Sequence, residues 1–182
     1  GWTKGYWLHP ANGDSMWENP VFWDADSVTF KLGYESQDLY FGYQESAIED
    51  AISTWDDAGS NLTVSWGGNT TDTLDIDDGD NVITFGRWTD LGPGVGRTLF
   101  RLDITASADS CEILETDIVL NDSYPWSIGT WQIGMLDTTF TKDIQSVVTH
   151  EIGHALGLGH VAGDGNCQTM QYGFLIEGAA CS

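Results

Sequence analysis

Apolar positions along the chain change period several times, and each change marks an element. Val28, Phe30 and Leu32 alternate with polar residues over 27–32, the two-residue period of a half-buried strand. Over 44–57 the period lengthens, with Ala47, Ile48, Ala51, Ile52 and Trp55 at helical spacing. Ala58-Gly59-Ser60-Asn61 stops that helix. Residues 62–66, 82–85 and 115–121 read as further strands. Residues 98–105 alternate through Leu99, Leu102 and Ile104, as an edge strand with one wet face would. Ile144, Val148, Ile152 and Ala155 restore the helical period, and Thr141 or Asp143 can cap the start of that helix. The predicted order is strand, helix, four strands, helix.

The intervening segments are polar or rich in Gly and Pro. Residues 1–26, rich in Trp, Gly, Asn and Pro, show no period and are expected to lie as an arm over the domain at 27–182. Residues 67–81 form a polar loop in which clustered Asp oxygens beside glycines suit calcium, although the spacing does not match an EF-hand. A solvated, turn-rich loop is the competing reading. Residues 92–96, Gly-Pro-Gly-Val-Gly, form a loop, and an aromatic loop with Tyr124, Pro125, Trp126 and Trp131 precedes the last helix. No internal repeat or linker divides the chain.

Composition narrows the picture. With 182 residues, 41% of them hydrophobic and nine Trp, one domain can bury a sizeable core. A net charge of −22, from 28 acids against 6 bases, argues against binding nucleic acid through a basic surface. The acidity fits a well-solvated surface, or a preference for cationic substrates. No apolar run is long enough to cross a membrane. The start, Gly1-Trp2-Thr3-Lys4, lacks a signal-peptide pattern, so the chain reads as a mature form or an excised domain of a secreted protein. Cys111, Cys167 and Cys181 allow three single pairings, of which Cys167–Cys181 would close a short loop. Sequons stand at Asn61, Asn69 and Asn121.

The chemistry concentrates in His150-Glu151-Ile152-Gly153-His154-Ala155-Leu156-Gly157-Leu158-Gly159-His160, which holds three of the four histidines. On a helix, residues four apart share a face, so His150 and His154 can converge on one point. Glu151 lies one step round, placed to bond a water at that point rather than to ligate a metal. Gly157 can adopt the left-handed conformation that ends a helix, and the turn could return His160 as a third ligand. Three protein ligands with an open fourth position form a catalytic rather than a structural zinc arrangement. Zinc would polarise the water, and Glu151 would take its proton for attack on a carbonyl. One flank of this helix is expected to bury in the core while the other floors a cleft.

With the motif helix, its turn and the element order in place, residues of about 27–175 resemble the metzincin clan of zinc endopeptidases. Gln168-Thr169-Met170-Gln171-Tyr172-Gly173 fits the clan's methionine turn, with Met170 beneath the zinc. The short gap from His160 to Met170 and the stretch Glu115–Ser127 are similar to matrixins and their bacterial relatives. Matrixins usually carry proline two residues after that methionine. Here Tyr172 stands there, as in astacins and serralysins, where the tyrosine can ligate zinc or stabilise the oxyanion; lining the specificity pocket is the other role open to it.

The resemblance implies an α+β fold. Its five-stranded mixed sheet, with an antiparallel edge strand at 98–105 that pairs with extended substrate, packs on an active-site helix and a backing helix. It implies catalytic zinc on His150, His154 and His160, Glu151 as base, a protein or peptide substrate, a propeptide inhibitor and a monomer. A structural zinc of the matrixin kind is not expected, since His9 is the sole histidine outside the motif. Nor is the clan's C-terminal helix, since Ser182 comes twelve residues after Met170; processing, truncation or a cysteine-tied tail would each explain that. The competing functional reading is a binding protein on the same fold that holds zinc without turnover.

Overall fold

The computed structural model describes residues 21–36, 38, 39, 42–86, 94–107, 110–129 and 141–159, with residues 104–107 and 110 described by backbone alone. Strand β1 is Val21–Phe22 and β2 is Ser27–Leu32. In β2, Val28, Phe30 and Leu32 are buried and alternate with residues nearer solvent, as their period requires. Helix α1 (Tyr43–Asp56) follows, then β3 (Thr63–Asn69) and β4 (Asn81–Gly86). The long strands β5 (Gly96–Ser107) and β6 (Ser110–Asn121) come next. Short strands β7 (Trp126–Ser127) and β8 (Lys142–Asp143) pair in parallel ahead of helix α2 (Ile144–Ala155).

One mixed sheet carries the domain, as expected. β2 pairs in parallel with β3 and with β4, β4 pairs in parallel with β6, and β6 pairs antiparallel with β5. Parallel neighbours need a crossover, and α1 supplies the one from β2 to β3. α1 packs on β3, α2 packs on β5 and β6, and the two helices pack on each other. The core between them holds Phe30, Leu32, Ile48, Ile52, Ile83, Ile118, Leu120, Ile144, Val148 and Ile152. β6 runs through the middle of this arrangement, and Glu115 to Asn121 are all buried.

The element order read from the sequence is present, with four differences, one of them the short β7–β8 pair, whose first strand lies in the segment read as an aromatic loop. Val21 and Phe22 form a strand on the start of β6, where no period marks one. A two-residue strand has no room for an alternation. β3 continues to Asn69 through Gly67 and Gly68, which read as loop residues. The register between β2 and β3 shifts there, and Gly68 has φ +80. A Cβ on Gly67 would come within 2.7 Å of Thr29 Cγ2, so close strand approach selects glycine. β5 and β6 extend beyond the bounds read from the sequence, pairing as far as Ser107 and Ser110, and Cys111 and Ile113 of this outer part are buried with Val21 in a small apolar cluster.

Several polar groups in the interior pair across elements. The Gln44 side chain accepts from the Ser36 amide (2.8 Å) and donates to the Ser36 carbonyl (2.7 Å). Ser36 Oγ donates to Asp122 (2.7 Å), which joins the start of α1 to the end of β6. Trp126 is fully buried, meets Phe85 edge-on with ring centroids 5.3 Å apart, and donates its indole N–H to the Asn121 carbonyl (3.2 Å). Trp126→Ala removes a large packed ring and should cost about 3–5 kcal/mol. A urea unfolding curve measures this; a change under about 1 kcal/mol would show that Trp126 does not organise this end of the core.

Candidate metal centre

Helix α2 begins at an N-cap. Asp143 accepts from the Ser146 amide (2.8 Å) and the Ser146 hydroxyl (2.6 Å), so of the two caps the sequence allows, Asp143 is the one used. Its far end closes by two bonds, Gly157 N–H to the His154 carbonyl (2.7 Å) and Leu158 N–H to the Gly153 carbonyl (3.0 Å). These are the paired bonds of a Schellman motif. Gly157 has φ +88, the left-handed geometry its place after the helix predicts. A Cβ there would also sit 2.7 Å from the Val21 carbonyl oxygen, so β1 presses directly on this turn.

Between those ends the helix brings His150 and His154 side by side. Their ring centroids lie 4.7 Å apart with the planes at 89°. His154 Nδ1 lies 2.8 Å from the Leu158 carbonyl. A carbonyl only accepts, so Nδ1 carries the proton and Nε2 is left as the lone-pair nitrogen that a metal requires. The Schellman turn that ends the helix thereby also sets the tautomer of a candidate ligand. Two imidazoles on one face, one with its tautomer set, fit a borderline-soft ion such as zinc. Among the described residues no third His, Cys, Asp or Glu joins them. His160, Met170, Tyr172, Cys167 and Cys181 lie outside the described residues.

Glu151 is buried beside the two histidines. Burial pushes its carboxyl up to about 7, against the opposing effects of the Thr98 hydroxyl bond and the Arg97 charge. Thr98 Oγ1 reaches both the Glu151 carbonyl oxygen (2.9 Å) and its carboxylate Oε2 (2.8 Å). Sequence reasoning missed Thr98 and Gly96 at this site. They lie far from the motif along the chain, and no local period signals a contact made across the fold. His150, Glu151 and His154 are all buried, and β5 packs on the helix that carries them.

The helix backbone is gripped from two further directions. The Trp55 indole donates to the Thr149 carbonyl (2.7 Å), and the Trp23 indole donates to the Ala155 carbonyl (2.9 Å). These carbonyls adjoin His150 and His154 in sequence, so both flanks of the motif are tied to other elements.

A second polar cluster lies between the β3–β4 loop and β6. Asp117 accepts from the Val82 amide (2.8 Å) and the Asp75 amide (2.9 Å). Burial, with smaller contributions from Glu115 and Asp78, pushes its carboxyl up to about 6 against those two bonds. Glu115, 1% exposed, accepts from the Gly79 amide through Oε2 (2.9 Å). Its other oxygen, Oε1, is buried without a hydrogen-bond partner among the described residues.

A family model described as matrixin, peptidase M10, matches residues 22–175. No curated protein matches the chain. Gly157→Ala should destabilise the domain by about 1–3 kcal/mol, since the left-handed backbone and the Val21 carbonyl both oppose a side chain. It should also weaken zinc retention by disturbing the His154–Leu158 bond. Thermal unfolding and metal analysis after dialysis test this, and a variant matching the parent in both would refute the assigned role of the turn.

Proposed function

We propose, from the premise that the chain belongs to the matrixin family, that it is a secreted zinc-dependent endopeptidase hydrolysing peptide bonds in proteins. The family itself makes it a zinc metallopeptidase acting on proteins or peptides. The observation that carries the finer reading is a buried stretch of helix that holds two imidazoles side by side and a buried glutamate next to the first of them in sequence. In this reading His150, His154 and His160 would hold the metal, and Met170 would be the methionine of the family's turn. When bound, zinc supplies Lewis acidity for a water and for the substrate carbonyl. Glu151 accepts the water's proton and delivers it to the leaving amine, a task suited to a carboxyl raised towards neutral pH. Tyr172 is assigned a hydrogen bond to the developing oxyanion.

Secretion, a monomeric state and an inhibitory propeptide belong to the same proposal. No helix among the described residues is long and apolar enough to cross a membrane. Among the described residues Cys111 is a buried free thiol, and the proposal pairs Cys167 with Cys181. A structural calcium ion at the β3–β4 loop is proposed on the unpartnered Oε1 of Glu115, buried beside a loop rich in aspartate. A cation there would offset the cost of that oxygen.

Glu151→Ala should retain zinc but lose about 10²–10⁴-fold in hydrolysis of casein or of a mixed peptide library. Parental turnover in that variant refutes the mechanism, and stoichiometric zinc without turnover in the parent favours the non-catalytic binding reading. Adding calcium chloride to zinc-loaded protein should raise its unfolding free energy, by about 2.7 kcal/mol at 100-fold excess over Kd. Glu115→Gln should abolish that gain; no gain in the parent, or an equal gain in the variant, removes the calcium proposal.

A further inference from the structure

We infer that Thr98 is a positioning residue for the base, and that Gly96 keeps clear the space in which that base is held. The inference rests on the reading of Glu151 as the base. Thr98 Oγ1 lies within hydrogen-bond distance of two atoms of one residue, the Glu151 carbonyl oxygen at 2.9 Å and Oε2 at 2.8 Å. A bridge between the backbone and the tip of one side chain restricts the torsions that connect them. Threonine suits this because its branched Cβ leaves few rotamers, so the backbone of β5 sets where the hydroxyl points. That backbone is itself set by the sheet, where Thr98 stands opposite Ile118 of the buried strand β6.

The second observation is independent of the hydroxyl. A Cβ at Gly96 would fall 2.8 Å from Glu151 Oε1, 2.9 Å from Cγ and 3.0 Å from Cδ. Those distances are shorter than carbon contacts permit, so any side chain at 96 displaces the carboxylate. One oxygen of Glu151 is thus held by Thr98 while the other lies against bare backbone at Gly96. Both contacts come from β5, which pairs with β6 along one side and presents its other edge outward among the described residues. β5 therefore sets where the carboxylate sits relative to the helix. A base misplaced by about 1 Å can lose about 100-fold in rate.

The test compares zinc-loaded parent, Thr98→Val, Thr98→Ser, Gly96→Ala and Glu151→Ala. Thr98→Val keeps the shape and deletes the hydroxyl. It should lower kcat about 10–100-fold with KM little changed and zinc stoichiometry intact, and its crystal structure should show the Glu151 carboxylate turned away from the parental position. Thr98→Ser should return kcat to within a few-fold of the parent, which a purely packing role for threonine would not allow. Gly96→Ala should reproduce the kcat loss and the displaced carboxylate. Should Thr98→Val fail to fold, the serine and alanine variants carry the decision alone. Parental kcat in Thr98→Val or Gly96→Ala, or an unmoved Glu151 in either structure, overturns the inference. Parental activity in Glu151→Ala would instead overturn the base reading beneath it.

Discussion

The constraint on which the rest depends is the burial of a polar helix. α2 carries His150, Glu151 and His154 into the interior, where an unpaired polar group costs about 1–3 kcal/mol. Such a helix survives only if neighbours meet its polar atoms, and they do so from separate elements. Thr98 of β5 meets Glu151, the Leu158 carbonyl meets His154, and the Trp55 and Trp23 indoles meet carbonyls flanking the motif. The sheet, α1 and the segment before β2 thus each contribute to holding one short stretch of chain. The fold serves as a frame for a helix that could not be buried on its own.

The same logic shapes β6. A strand paired on both edges and covered on its faces should be apolar throughout, yet Glu115, Thr116 and Asp117 interrupt its apolar run. Asp117 accepts from two backbone amides, and Glu115 accepts from a third. These carboxylates tie the Asp75 and Gly79 amides of the β3–β4 loop to β6. Loop 70–80 is long and polar, and it takes its shape from acids on a strand it never pairs with.

Much of this architecture was legible. The alternation of Val28, Phe30 and Leu32 placed β2 at its observed bounds, and the 3.6-residue spacing from Ala47 to Trp55 placed α1 to within a residue at either end. Asp143 and Gly157, read as start and stop signals, act as such. The histidine pair was legible because its geometry is local: a spacing of four on a helix leaves little freedom. What the pattern hid was β1, too short for a period, and the Gly67-Gly68 continuation of β3, where glycine signals close packing instead of a turn.

By itself, then, the sequence determined the longer elements, their order and the helical spacing that sets His150 and His154 side by side, because those follow from periods and spacings within a few neighbouring residues. Only the tertiary structure decided which atoms meet Glu151. Thr98 and Gly96 reach it through the pairing of β5 with β6 and the packing of α2 beneath them, and Val21 reaches Gly157 through the pairing of β1 with β6. Such contacts depend on register between strands distant in sequence, a quantity that no local pattern encodes.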